Sequence, residues 1–160
     1  MSHNLMNKKN KLEIAKVILR ESSFSINKNL RAAFLESALD SGENKTESYE
    51  GTACAHLLSG KGADECVYIF EFECASRVVK ITDSDGNPVP ESADVRVVYT
   101  VKAVFEASYI SSVKLTDEEL NAFAENDVVH HIWPYWREYF QNACSRMEAP
   151  KLQVPLSNGY

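Results

Sequence analysis

At 160 residues the chain suits a single domain, long enough to bury roughly 70% of the surface that its unfolded form would expose. Its 17 basic and 23 acidic residues give a formal charge of −6, which argues against a surface built to neutralise phosphates and so against nucleic acid as a partner. Apolar residues at 44% and charged residues at 25% are values of a folded globular protein and exclude a disordered one.

The opening MSHNLMNKKNKLEI has lysines but no uninterrupted apolar core. No stretch anywhere approaches about 18 apolar residues in a row, so neither a secretory leader nor membrane insertion is expected, and residues 1–10 are expected to be disordered. Cys54, Cys66, Cys74 and Cys144 form no C-x-x-C pair. A chain this long is stable without disulfides, and reduced thiols in the cytoplasm follow.

Lys11 to Ile26 is ambiguous. Val17 and Leu19 alternate with Ile18 and Arg20 as in a strand, while Leu12, Ala15 and Leu19 would equally line a helix. Residues 29–40, NLRAAFLESALD, place Leu30, Phe34 and Ala38 at intervals of four ahead of Gly42, which predicts a short helix. Ser48 to Ser59 alternates weakly and reads as a strand, with Gly60-Lys61-Gly62 as the turn that follows.

Val67 to Val79 sets Tyr68, Phe70, Phe72 and Cys74 on one side and Glu71 and Glu73 on the other. From Val95 to Tyr109 the alternation is sustained, with Tyr99, Val101, Ala103, Phe105 and Ala107 on one face. Both are half-buried strands, and the turn formers Asp83-Ser84-Asp85-Gly86-Asn87-Pro88 between them predict an antiparallel hairpin.

Thr116-Asp117-Glu118-Glu119 is a capping box and predicts a helix start. Val129, Ile132, Trp133, Trp136, Tyr139, Phe140, Ala143 and Met147 then recur at spacings of three and four, an apolar stripe. Pro134 is expected at a helix start or at a kink. After Met147, Pro150 and Pro155 exclude a helix interior, and alternating Leu152, Val154 and Leu156 predict an extended tail.

Motifs that carry chemistry are scarce. Adjacent His130 and His131 lie about 100° apart around a helix and cannot share one metal as an i, i+4 pair can; only Asp127 and His131 have that spacing, and two ligands are too few. Asp83, Asp85, Asn87 and Asp94 mimic a calcium loop, but Pro88 stands where the sharp turn needs glycine. Ser59-Gly60-Lys61-Gly62 lacks the spacing of a phosphate loop. Glu71 and Glu73 read as solvated strand residues, which with Glu21 and Glu106 would offer an acidic patch to a basic partner. No metal, cofactor or catalytic step is expected, and an enzyme using His130, His131 or a cysteine is the disfavoured rival.

The segments IWPYWREYFQNACSRMEAPKLQVPLSNGY and KVILRESSFSIN resemble the SecB family of export chaperones. Ile132, Pro134, Tyr135, Arg137 and Glu138 match the family's aromatic-Pro-Tyr-x-Arg-Glu helix, and Phe24 stands at its first-strand phenylalanine, so the ambiguous first segment becomes a strand. The resemblance covers residues 16–27 and 65–158. Residues 28–64 match poorly and form a divergent crossover region, where the family has a loop that lines its peptide grooves.

The resemblance implies an α+β domain with a four-stranded antiparallel sheet and C-terminal helices packed on one side, assembled as a homotetramer that is a dimer of dimers. It implies an ATP-independent holdase that binds unfolded polypeptides or preproteins in the cytoplasm for export through the Sec pathway. Phe24, Tyr135, Leu152, Val154 and Leu156 would border the peptide groove, and Trp133, Trp136, Tyr139 and Phe140 the oligomer interface. Glu21 matches one member of the acidic pair that docks the SecA motor, but Ser25 stands at the other, and the sequence ends at Tyr160 without the family's further helix and tail. A chaperone dedicated to one client, such as an antitoxin of a toxin–antitoxin system, and a non-chaperone interaction module that keeps the fold are the alternatives.

Overall fold

The computed structural model describes residues 12–59 and 65–149, the side chains of 53–59 excepted. The expected disordered start at residues 1–10 and the expected tail with Leu152, Val154 and Leu156 lie outside the described residues.

Four long strands, β1 (Glu13–Ile26), β2 (Asn44–Ser59), β3 (Cys66–Lys80) and β4 (Val97–Ser111), form one antiparallel sheet in the order β1-β4-β3-β2. The alternation of β3 and β4 dictates their place at the centre. Tyr68 pairs Tyr109, Phe70 pairs Ala107, Phe72 pairs Phe105 and Cys74 pairs Ala103, and all eight side chains are buried on one face. Burying each large one contributes about 1.5–3 kcal/mol.

β1 is a strand along its whole length, and its ambiguous pattern has a physical cause. Two β-bulges, between Ile14 and Lys16 and between Leu19 and Glu21, each insert one residue and shift the alternation by one position. Ile14, Val17, Leu19, Phe24 and Ile26 therefore share a face although their spacing is irregular, since they pair with Tyr109, Ala107, Phe105, Val101 and Tyr99.

The predicted helix over 29–40 forms only in part, as a 3-10 turn (Ala32–Phe34) followed by α1 (Leu35–Asp40). The tighter first turn rotates the stripe: Leu35, not Phe34, enters the core, and Phe34 is 65% exposed. The ammonium of Lys80 donates to the carbonyl oxygens of Ala38, at 2.5 Å, and Ser41, capping the end of α1. Gly42 follows with φ 75°, at a corner where a Cβ would land on the carbonyl oxygens of Thr82 and Asp83.

The β3–β4 pair is antiparallel as expected, but residues 81–96 make a longer connection than a tight hairpin. Within it Asp83 Oδ1 accepts from the backbone of Asp85 and Asn87, each at 2.9 Å. These bonds hold the Asp83 carboxyl below its usual pKa. The would-be calcium loop is thus a turn closed on itself.

After β4, the backbone N–H of Leu115 donates to the Tyr68 hydroxyl at 2.8 Å. α2 (Asp117–Phe123) then begins at the expected capping box, both halves of which form. A π-helical turn (Ala124–Val128) leads without a break into α3 (Val129–Arg146). Pro134 sits inside α3 and not at a helix start. The core line is Val128, Ile132, Trp136, Phe140 and Cys144, one turn apart and buried, while Val129, Trp133 and Tyr139 flank it half-buried. α3 ends in a Schellman pattern, with Ala149 donating to Cys144 at 2.9 Å and Glu148 to Ser145 at 3.2 Å. Glu148, at φ 53°, occupies the left-handed position that glycine usually fills.

Candidate functional site

The helix layer is narrower than the sheet. α3 packs on β3 and β4, the π turn on β3 and α1 on β4. The helix-side faces of both edge strands therefore project past the helices as two ledges of different chemistry.

The β1 ledge is apolar. Ile14, Leu19 and Phe24 are 42–43% exposed, and Val17 and Ile26 are half-buried. The resemblance singled out Phe24 and not its companions, whose common face the two bulges hide in the sequence. Exposed apolar side chains in a row on one side of an edge strand mark a surface that binds other protein.

The β2 ledge is polar: Glu50 and Thr52 occupy the positions opposite Cys74 and Phe72. Between this ledge and the helices runs a groove of about 560 Å³, with Phe70, Phe72, Leu120, Ala124 and Val129 as its apolar lining and Glu50 and Glu125 as its acids. Partial burial raises the pKa of Glu50. The sequence marked Phe70, Phe72 and Val129 as apolar faces of a strand and a helix, but Glu50 lay within the poorly matching segment and Ala124 and Glu125 in a stretch with no pattern of its own, so nothing in the sequence pointed to a groove.

Above the sheet centre, an aromatic cluster supports the π turn. The ring of Tyr109 stands edge-on to Phe70 at 5.6 Å and to Phe123 at 4.8 Å. Its hydroxyl lies 3.0 Å from Nδ1 of His131, and burial, then the charge of Asp127, pushes the Tyr109 phenol up. His131 thus serves packing, and among the described residues no group of three or more His, Cys, Asp or Glu could hold a metal.

The face away from the helices gathers the acids noted in the sequence. Glu21 pairs Val104, Glu71 pairs Glu106, and Glu73 pairs Val104 from the other side, placing Glu21, Glu71, Glu73 and Glu106 in adjacent rows across three strands. Arg20, the inserted residue of the second β1 bulge, reaches over them to Glu71 and, at 3.0 Å, to Glu106. It offsets part of the acidic field, and as a half-exposed pair it contributes less than about 1 kcal/mol to stability.

The other predicted residues are scattered. Tyr135 is 45% exposed on α3, about 100° around the helix from Trp136; Trp136 and Phe140 are 3% and 1% exposed within the chain's own core. Trp133 and Tyr139 are half-buried at its flanks. Phe24 lies on the β1 ledge, on a different element from Tyr135.

The sequence matches no family model and no curated protein. Among solved structures it is similar to a SecB-like chaperone of Mycobacterium tuberculosis in complex with a ChAD peptide from the HigA1 antitoxin, with a TM-score of 0.62 and 17% identity over 91% of this chain and 89% of that one. The chain has a SecB-like fold, the four-stranded antiparallel sheet with helices on one side that its sequence resembles.

Proposed function

We propose that this protein is an ATP-independent holdase for non-native polypeptide, in the form of a chaperone devoted to one client, with no catalytic step and with the cytoplasm as its place of work. The observation that carries this reading is the pair of ledges left bare by the narrow helix layer, one apolar and one facing an apolar groove. Burial of apolar client segments at about 25 cal/mol per Å² gives attraction without sequence-specific chemistry. The similar fold of a chaperone bound to an antitoxin peptide supports the dedicated-client form. On this reading Phe24 and Tyr135, with Leu152, Val154 and Leu156 from the last residues, border the client path.

Self-association belongs to the same proposal. A homotetramer built as a dimer of dimers would cover the flanks of α3, where Trp133 and Tyr139 remain partly open, with Trp136 and Phe140 stiffening that surface from beneath. Delivery to SecA in the export pathway is the second reading, and the acidic rows around Glu21 favour it, since a basic partner would dock there.

Light scattering from an aggregating, chemically unfolded protein, with this protein added in rising amounts and no nucleotide, tests the holdase. Suppression that saturates at a fixed ratio supports it; none, from folded and assembled protein, refutes it. Adding purified SecA separates the two forms, because binding that weakens with salt supports export and its absence supports the dedicated client.

A further inference from the structure

The helix layer changes its winding once, at the π turn (Ala124–Val128) between α2 and α3. A π turn carries one residue more than the α winding it replaces, so α2 is turned by about 100° from the place that unbroken α winding would give it. In an α-helix the carbonyl of Ala122 would accept from the N–H of Asn126, four residues on. Here the side-chain amide of Asn126 donates to it at 2.7 Å, the local bonding by which asparagine competes with a helix ladder.

The two sides of the turn are held unequally. Ile132, Trp136, Phe140, Ala143 and Cys144 anchor α3 in the core, whereas α2 buries none of its residues. It rests on the core through half-buried Leu120 and Phe123, the ring of Phe123 lying 4.8 Å from Tyr109 and 5.8 Å from Phe70. Its capping box bonds Thr116 to Glu119 within the helix itself, so the cap travels with α2. The fixed points lie outside: Leu115, whose N–H donates to the Tyr68 hydroxyl at 2.8 Å, and fully buried Val128. A short element with few buried contacts and a spare residue at its base is the part of the layer that rearranges at least cost.

We propose that the π turn is a sliding register. Its extra residue passes from Ala124–Val128 to the N-terminal end of α2, and α2 turns by about 100° about its axis between the two fixed points. In the observed setting Leu120, Asn121, Ala124 and Glu125 form the helix-side wall of the groove and Phe123 covers Tyr109. In the second, Leu120 and Phe123 turn off the core and that wall draws back. Asn126 is the catch, because α winding there returns the Ala122 carbonyl to the Asn126 N–H and releases the side chain. The use of the device rests on the holdase proposal: a wall with two settings admits client side chains of different bulk.

Fluorine NMR of the whole protein, grown with para-fluorophenylalanine, tests this. The fluorine lies on the ring-flip axis and so reports movement of the backbone rather than of the ring; Phe123→Leu and Phe140→Leu identify the two lines needed. The Phe123 line should show exchange on the microsecond-to-millisecond scale of helix register shifts, and the Phe140 line, from the anchored part of α3, none. Deleting Asn126 removes the extra residue and leaves α2 in its observed orientation, so the Phe123 line should keep its position and lose its exchange. Asn126→Ala keeps the chain length and removes the catch, and the second population should rise several-fold. Reduced, denatured lysozyme held by the protein should change the ratio of the two populations.

A Phe123 line without exchange in the unaltered protein, or exchange that survives deletion of Asn126, overturns the sliding register whatever the protein does to unfolded chains. Lysozyme kept from aggregating while the populations stay fixed overturns the use assigned to it and leaves the holdase standing. Lysozyme that aggregates unhindered, with Phe123 exchanging and answering both variants as expected, refutes the holdase and supports the register.

Discussion

The hydroxyl of Tyr109 on β4 meets Nδ1 of His131 on α3 at 3.0 Å, the polar link inside an otherwise aromatic contact between sheet and helix layer. Tyr109→Phe keeps the ring edge-on to Phe70 and Phe123 and removes one buried hydrogen bond, so urea denaturation should show a loss of about 1 kcal/mol. Replacing both His130 and His131 by glutamine should leave suppression of aggregation nearly intact; loss of all activity with the fold preserved would give the histidines a chemical role.

Gly42 holds the corner between α1 and β2 at φ 75°, against the carbonyl oxygens of Thr82 and Asp83. Gly42→Ala should cost about 1–3 kcal/mol from left-handed strain, with the clash added. Gly86, also at positive φ but in open space, is the control, and Gly86→Ala should cost less in the same urea titration.

Glu148 is the reverse case. A non-glycine residue at the left-handed position that ends α3 leaves stability unrealised, and Glu148→Gly should add about 0.5–1 kcal/mol. For a domain of this size that is a rise of roughly 2–4 °C per kcal/mol in calorimetry.

Glu50 carries a pH signature. Its folded-state pKa is raised by burial, so folding favours its protonated form. That preference is fully expressed below the unfolded value of 4.5 and is lost as pH rises through the folded pKa. At neutral pH the partly desolvated charge opposes folding, and Glu50→Gln should raise the urea midpoint there. The gain should shrink on acidification and vanish below the unfolded value.

Phe140 and Trp133 separate core from interface. Phe140 is 1% exposed, and Phe140→Ala should cost about 3–5 kcal/mol, seen as unfolding. Trp133→Ala, at the half-buried flank, should shift the mass measured by sedimentation towards smaller species while circular dichroism is unchanged. Equal unfolding by both would place Trp133 in the core as well.

Much of the architecture follows from the sequence without further help. The unbroken alternation of β3 and β4 requires a central, one-sided sheet, because only two such strands side by side bury Tyr68, Phe70, Phe72 and Phe105 together. The Thr116–Glu119 box sets the start of the helix layer by local hydrogen bonding. The spacing from Ile132 to Met147 sets which side of α3 faces the sheet. Local periodicity and capping are properties of neighbouring residues, and neighbours are what a sequence displays.

The candidate site was decided elsewhere. The common face of Ile14, Val17, Leu19 and Phe24 depends on two bulges that arise only when β1 pairs with β4. The groove depends on where α2 and the π turn stop across the sheet, and the helix-side place of Glu50 depends on the register of β2 with β3. The strand order that makes β1 and β2 the edges is likewise a matter of long-range pairing. Residues far apart in the chain create these surfaces, so their chemistry becomes legible only once the tertiary structure has brought them side by side.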